Sequence, residues 1–378
     1  MSNKNFDNFL DFGSSKIRLV AFDKNNKDNN YLIENNCLSN ININELNFSK
    51  CDDIIDKIIL DIEKKTGEHL DNINLMVDTP DALSIGLSLS EKMEGNKIKK
   101  QDIEYLIQDA KQQVIRSYPN ENIIHIIVTN YRINEIDYNS LPEDISCNKL
   151  SIDIIFICFQ KKLTKSLEEL FYKHHVSVQQ FLLSSYAKSL NYKNELGSFE
   201  DITFIDIGYE KTSIVYFKND NFNFFGMIPI GSHHITKDIS KILKISIEKS
   251  EKVKLNFDRD NNFLKENNLS LDLIKKIIFA RVEEILEIST QYIKLNKPNK
   301  NTKKLKLILT GEGSRILDNN FKENISFLSD INLLEETTLD VCESGLKLKH
   351  GINNQEVVII PKKFVKKGFF ERLFHFFR

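Results

Sequence analysis

Two stretches of this sequence set an aspartate two residues ahead of a glycine at the end of an apolar run: Asp11-Phe-Gly13 and Asp206-Ile-Gly208. In the first, Ser14, Ser15 and Lys16 follow at once. These residue types suit an anion. A glycine lets main-chain amides approach without a side chain in the way, hydroxyls donate, and a lysine brings charge. A carboxylate does not bind phosphate directly, so Asp11 and Asp206 are expected to hold Mg2+ through water. Asp206 is the one candidate for a catalytic group. Two such tips facing each other across a cleft would clamp a β/γ-phosphate from both sides. A third turn, Thr310-Gly-Glu-Gly-Ser314, places Gly311 and Gly313 between a strand and an expected helix, where adenosine or phosphate can rest on the backbone.

The positions of these turns dictate the elements around them. Ile17, Leu19 and Ala21 alternate with Arg18, Val20 and Phe22, so Phe9 to Asp23 reads as strand, tight turn, strand. Asp201 to Lys218 repeats that grammar half a chain later, which points to a duplicated domain. Helices are expected at Asp52–Thr66, Leu163–His175 and Leu271–Leu295, and strands near Asn74–Asp78, Ile152–Cys158 and Lys306–Thr310. The block from Asp81 to Leu150 has its own helix (Lys100–Arg116) and strand (Asn122–Asn130) and reads as an inserted α+β subdomain. Ile235 to Lys304 is mostly helical and highly charged. Strands leading into helices throughout imply an α/β core of two lobes.

Composition narrows the class. The 52 basic and 54 acidic residues leave a net charge of −2, which is no footprint for a nucleic-acid binder. With 41% hydrophobic residues the chain has apolar material for real cores. Cys37, Cys51, Cys147, Cys158 and Cys342 lie far apart without metal spacing, so reduced thiols in a cytoplasmic protein are expected. The first residues lack the basic-then-apolar run of a signal peptide, and the apolar runs are strand-sized.

Phosphate hairpin, second phosphate hairpin and adenosine turn, in that order, resemble the actin/Hsp70/sugar-kinase superfold. Within it the sequence is similar to the FtsA family of bacterial cell-division proteins. The resemblance rests on Leu10-Asp-Phe-Gly-Ser-Ser-Lys16, His125-Ile-Ile-Val-Thr-Asn-Tyr131, Leu183-Ser-Ser-Tyr-Ala187, Phe204-Ile-Asp-Ile-Gly208, Ile228-Pro-Ile-Gly231, Ile278-Phe-Ala-Arg-Val-Glu-Glu-Ile285 and Ile308-Leu-Thr-Gly311. It implies a first lobe at 1–80 and 151–190, an inserted subdomain at 81–150, a second lobe at 191–236 and 305–350, a helical lobe at 237–304, and a linker with tail at 351–378. It further implies ATP with Mg2+, and a Glu–Lys pair for the nucleoside at Glu251 and Lys254. The departures are Tyr209 and Glu210 in place of glycines, Ser213 in place of a carboxylate, and Glu312 in place of a second glycine. Glu210 and Glu312 weaken a phosphate site, because a carboxylate near a triphosphate repels it unless Mg2+ or Lys211 intervenes.

The C-terminus carries the most specific physical signal. Projected at about 100° per residue, Phe369, Phe370, Leu373, Phe374, Phe376 and Phe377 fall on an arc of roughly 160°. Glu371, Arg372, His375 and Arg378 take the other side, with Lys366 and Lys367 leading in. Bulky aromatics opposite basic residues describe a helix lying in a membrane interface; the alternative is a terminal helix docked on the protein itself or on a partner groove. The resemblance then implies a protein that anchors FtsZ filaments to anionic lipids on the cytoplasmic side of the inner membrane at the septum. It binds the FtsZ C-terminal tail on the helical lobe, with Arg281 on the matching helix, self-associates into filaments, and meets other division proteins. It is at most a weak ATPase. Two alternatives stay open: a PilM-type pilus-assembly adaptor, and a sugar- or acetate-kinase-type phosphotransferase.

Overall fold

The computed structural model describes residues 5–26, 29–37, 48, 51–141, 145–197, 201–257, 269–296, 306–317 and 331–351. Strand β1 (Phe6–Phe12) turns back as β2 (Lys16–Asp23), and β3 (Asn30–Asn36) extends the meander. Strands β4 (Asn72–Val77) and β9 (Ser177–Leu183) join β1 in parallel, giving the order β3-β2-β1-β4-β9. The second sheet repeats the plan. β10 (Asp201–Ile207), β11 (Thr212–Lys218) and β12 (Asn221–Ile228) form the meander, and β13 (Lys306–Thr310) and β14 (Ile331–Leu333) add in parallel, giving β12-β11-β10-β13-β14. The two hairpins match in register as well. Asp11 pairs with Arg18 and Asp206 with Ser213, and the Gly13 and Gly208 amides donate to the carbonyls of Lys16 and Lys211 at 3.0 and 2.9 Å.

Every residue of β10 is buried, because both faces of that strand are covered. Ile202 and Phe204 belong to a core shared with the first lobe, built around Phe9, Leu75, Tyr186 and Val341. Ile205 and Ile207 point the other way, into a core made with the helical lobe. That lobe is α5 (Ser232–Leu243), α6 (Ile247–Asn256) and α7 (Leu271–Asn296); the last buries Ile274, Ile278, Val282, Ile285 and Ile293 on one face. Helices α1 (Asp52–Thr66) and α3 (Lys161–Tyr172) pack against the first sheet, while α4 (Ser184–Leu196) and α8 (Thr338–Lys349) pack on each other between the lobes.

The inserted block is a third sheet, β5-β8-β6-β7, formed by β5 (Leu83–Lys92), β6 (Glu121–Ile133), β7 (Ile136–Tyr138) and β8 (Lys149–Gln160). Helix α2 (Lys100–Ser117) covers one face. Here the structure corrects the sequence reading, which ended the block at Leu150 and gave Ile152–Cys158 to the first lobe. That segment is an inner strand of the inserted sheet, paired with β5 on one side and β6 on the other. The reason is its two-sidedness: Ile152, Ile154 and Phe156 enter the insert's own core, whereas Ile157 and Phe159 enter the first lobe's. A strand buried on both faces has no polar alternation to show which sheet it joins.

Among the described residues, no helix is long and apolar enough to cross a membrane. The expected interfacial helix with Lys366, Lys367, Phe369, Phe370, Arg372, Leu373, Phe374 and Phe377 lies outside the described residues.

Candidate functional site: a charged cleft between the lobes

The two hairpin tips do face each other. Asp11, Gly13, Ser14, Ser15 and Lys16 from the first, and Asp206, Gly208, Tyr209, Lys211 and Ser213 from the second, line one cleft with Gly311 and Glu312. Its space, about 640 Å3 including the part open to solvent, is also lined by Arg18, Asp78, Ser184, Lys188 and Glu336, which the sequence reading did not single out.

The cleft is dense with charge, and the charges are engaged. Arg18 gives one nitrogen to Asp11 (2.9 Å) and another to Glu312 (2.7 Å). Lys16 lies 2.7 Å from Glu34 and 3.2 Å from the same Glu312 oxygen, and Arg315 takes the other Glu312 oxygen at 3.2 Å. Asp11 also accepts from Ser184 Oγ at 2.7 Å. Across the cleft, Lys188 contacts Asp206 and lies 3.2 Å from Glu336, which accepts from Tyr192 (3.1 Å) and Thr310. Lys211 donates to the Asp78 carbonyl, and the Asp78 carboxylate accepts from Ser185 and from Ser213 (3.1 Å).

Burial and these contacts set the protonation tendencies. Burial alone would lower the Lys188 ammonium, but Asp206 and Glu336 raise it well above the ordinary lysine value. Arg18 is likewise raised by Asp11 and Glu312 against its burial. Lys211 goes the other way, lowered because its burial outweighs the pull of Asp78 and Asp206. Burial raises Glu336 despite Lys188.

The expected ligands can now be tested against the residues. Asp11 and Asp206, expected to hold Mg2+, each already touch a buried cation, Arg18 and Lys188. Among the described residues, no group of three or more His, Cys, Asp or Glu side chains is placed to hold a metal. With these pairs in place neither carboxylate is free to take a water-held Mg2+, and Asp206 is not free to act as a base. The cations that a phosphate would need, Lys16 and Arg18, are bridged by Glu312. The glycines serve the protein's own packing. Gly311 has φ +89°, and a Cβ there would stand 2.1 Å from Asp206 Oδ1 and 2.7 Å from the Ile207 carbonyl. A Cβ at Gly313 would meet Ile207 at 2.7 Å, so that residue does not line the cleft. The residues after Gly311 form a single 3-10 turn, Glu312–Ile316, in place of the expected helix start.

Glu251 and Lys254 do not join the cleft lining either. They form a neighbouring cluster: Lys254 Nζ sits 2.8 Å from Glu251, 2.9 Å from Thr236 Oγ1 and 3.2 Å from the Ser232 carbonyl. Tyr209 stands at the border, lining the cleft while its ring stacks on His233 at 4.8 Å and lies under the Lys254 ammonium at 5.4 Å. Arg281, expected to meet a partner, spends its guanidinium inside the lobe. It makes a forked pair with Asp238 on α5 (2.7 and 3.0 Å) and a contact with Glu284 (2.6 Å).

Comparison with known proteins matches two segments of this architecture. A family model described as "Cell division protein FtsA" matches residues 203–326, and one described as "SHS2 domain inserted in FTSA" matches residues 84–158, the third sheet. Curated FtsA proteins are similar to the chain: that of Agrobacterium fabrum at 24% identity over 276 residues, 67% of this chain and 61% of that protein. That of Helicobacter pylori is 24% identical over 142 residues, 36% of this chain and 28% of that protein. The chain thus spans less than two thirds of these relatives' own length. Among solved structures, one of a PilM-PilN type IV pilus biogenesis complex superposes with a TM-score of 0.58 at 12% identity, covering 89% of each chain. The ethanolamine utilization protein EutJ of Carboxydothermus hydrogenoformans gives 0.54 at 13%, covering 90% of this chain and 89% of that one. These likenesses establish the actin-like fold. Two FtsA models thus match this chain, one on the second lobe and one on the inserted sheet, and its likeness to FtsA proteins runs through both.

Proposed function

We propose that this protein is a scaffold of cell division that holds FtsZ filaments against the cytoplasmic face of the membrane and helps to assemble the division machinery there. The observation that carries this reading is the inserted third sheet, matched by a model specific to FtsA and set into a two-lobed actin-like body. On this reading the aromatic, basic segment from Lys366 to Phe377 anchors the protein to anionic lipid. The helical lobe takes the FtsZ C-terminal tail, the lobes and the insert carry self-association, and the site of action is the septum. Arg281 contributes there by fixing α7 on α5, since its donors are already engaged.

Nucleotide enters this proposal as a weak ligand. ATP would sit between the hairpin tips, and to reach Lys16 and Arg18 it must displace Glu312. The role of the cleft is structural, not turnover, because neither Asp11 nor Asp206 is free of a cation. The same pairing weighs against a kinase, which needs an unengaged carboxylate base. The test is co-sedimentation of full-length and 1–351 protein with vesicles rich in phosphatidylglycerol, with and without FtsZ tail peptide. Full-length protein is expected in the pellet and to carry the peptide with it. Equal pelleting of both forms, or a pellet without peptide, would refute the tether.

A further inference from the structure

The cleft's disagreement with Mg2+ and nucleotide has a pattern. Each group that the ligand would supply has a counterpart made by the chain itself. Where a polyphosphate would lie against Lys16 and Arg18 there is the Glu312 carboxylate, 3.2 and 2.7 Å away. Where a cation would lie beside Asp206 there is the Lys188 ammonium, which also reaches Glu336. These pairs cross between lobes. Lys16 and Arg18 stand on the first hairpin and Glu312 follows β13 in the second sheet; Lys188 stands on α4 and Asp206 on β10. Asp78 adds a third crossing, receiving Ser213 and Lys211 of the second hairpin.

We infer that Glu312 is a built-in anion that closes the cleft from within, so that lobe closure needs no nucleotide and a nucleotide binds only by displacing this carboxylate. Three features support the assignment. Glu312 bridges two cations of the opposite lobe with one oxygen, a geometry that a phosphate oxygen shares. Its second oxygen is held by Arg315, which fixes the side chain toward the cleft. The segment carrying it cannot easily retreat, since Gly311 is wedged against Asp206 and Gly313 against Ile207. A ligand that competes with an internal group binds with an apparent affinity reduced by the fraction of time that group is away. Removing the charge should therefore loosen closure and tighten nucleotide binding together, which a merely structural ion pair would not do.

The ATP arm of the test rests on the reading of the cleft as a nucleotide site, and the experiment separates the two. Full-length wild type and Glu312→Gln are titrated calorimetrically with ATP, with and without Mg2+, and their radii of gyration are measured by small-angle scattering. Wild type is expected to bind ATP in the millimolar range with an unchanged radius. Glu312→Gln is expected to bind at least tenfold more tightly, to be more extended without ATP, and to contract when ATP is added. Equal ATP affinity in the two proteins overturns the competition and leaves the nucleotide reading standing. An unchanged radius in the variant overturns the closure. Absence of binding in both at millimolar ATP overturns both readings. Should Glu312→Gln fail to fold by circular dichroism, Glu312→Asp keeps the charge but shortens its reach, and is expected to shift affinity and radius in the same directions by less.

Discussion

Replacing Lys188 by methionine is the sharpest test of the buried charge network beneath the cleft. Methionine keeps most of the side-chain volume and removes only the ammonium, so packing along α4 changes little. What remains is Asp206 and Glu336, 8% and 5% exposed, without the cation they share. Breaking a buried pair by deleting one partner costs about 3–5 kcal/mol, because the other charge is left uncompensated. Two residual donors to Glu336, from Tyr192 and Thr310, keep the expected loss near the lower end, about 3 kcal/mol near neutral pH. The loss must also depend on pH. Glu336 is raised above the ordinary glutamate value by its burial, and deleting Lys188 raises it further. An acid whose folded value is raised binds more protons in the folded state, so its stability contribution falls as pH climbs from the unfolded value through the folded one. The penalty of Lys188→Met should therefore be smallest near the ordinary glutamate value, about pH 4, and grow as pH rises above it. Urea unfolding at several pH values measures it, and adding Glu336→Gln should restore roughly half. A penalty under about 1 kcal/mol at neutral pH, or one that does not change with pH, would refute the account of a shared buried cation.

Two further outcomes follow from the same structure. Arg281→Ala and Asp238→Ala should each cost about 1–2 kcal/mol, and the double variant little more than either, because both remove one forked pair between α7 and α5; additive losses in a urea-based double-mutant cycle would contradict this. All five cysteines are free and buried, and burial pushes Cys37 up to about 11 and Cys51 and Cys158 up to about 12. Ellman's reagent near pH 8 should find essentially none in the folded protein and all five after denaturation, and a fast-reacting thiol would count against the packing.

What the sequence discloses is local. The hairpins are legible because a period-two apolar pattern enters a glycine turn twice, and that repetition also announces the duplication borne out by two sheets of identical order. Arg18 was within reach of the same reasoning. It stands as far after the turn as Asp11 stands before it, so the strand register must set them side by side. Asp78, Ser184, Lys188 and Glu336 were not within reach. They arrive from three other segments, and only the sheet order and the crossing of α4 with α8 bring them to the cleft. Glu312 was recognised as hostile to phosphate, yet its partners could not be named, because Lys16 and Arg18 lie nearly three hundred residues upstream. The glycines of the third turn do a second job that the sequence did not disclose: Gly311 lines the cleft, and both let two strand ends approach each other.

The position of α8 bears on how the chain is made. This helix packs on β1, β2 and β4, and so closely that a Cβ on Gly345 would stand 2.7 Å from Met76 Sδ and 2.8 Å from the Phe9 ring. One face of the N-terminal sheet is thus completed by residues that leave the ribosome more than two hundred and fifty positions after Val77. At about 5–20 residues per second that delay is roughly 15–50 s, long against the microsecond-to-second folding of single domains. The first lobe cannot finish as an independent N-terminal unit during synthesis. Its apolar face stays uncovered by α8 until those residues have been made.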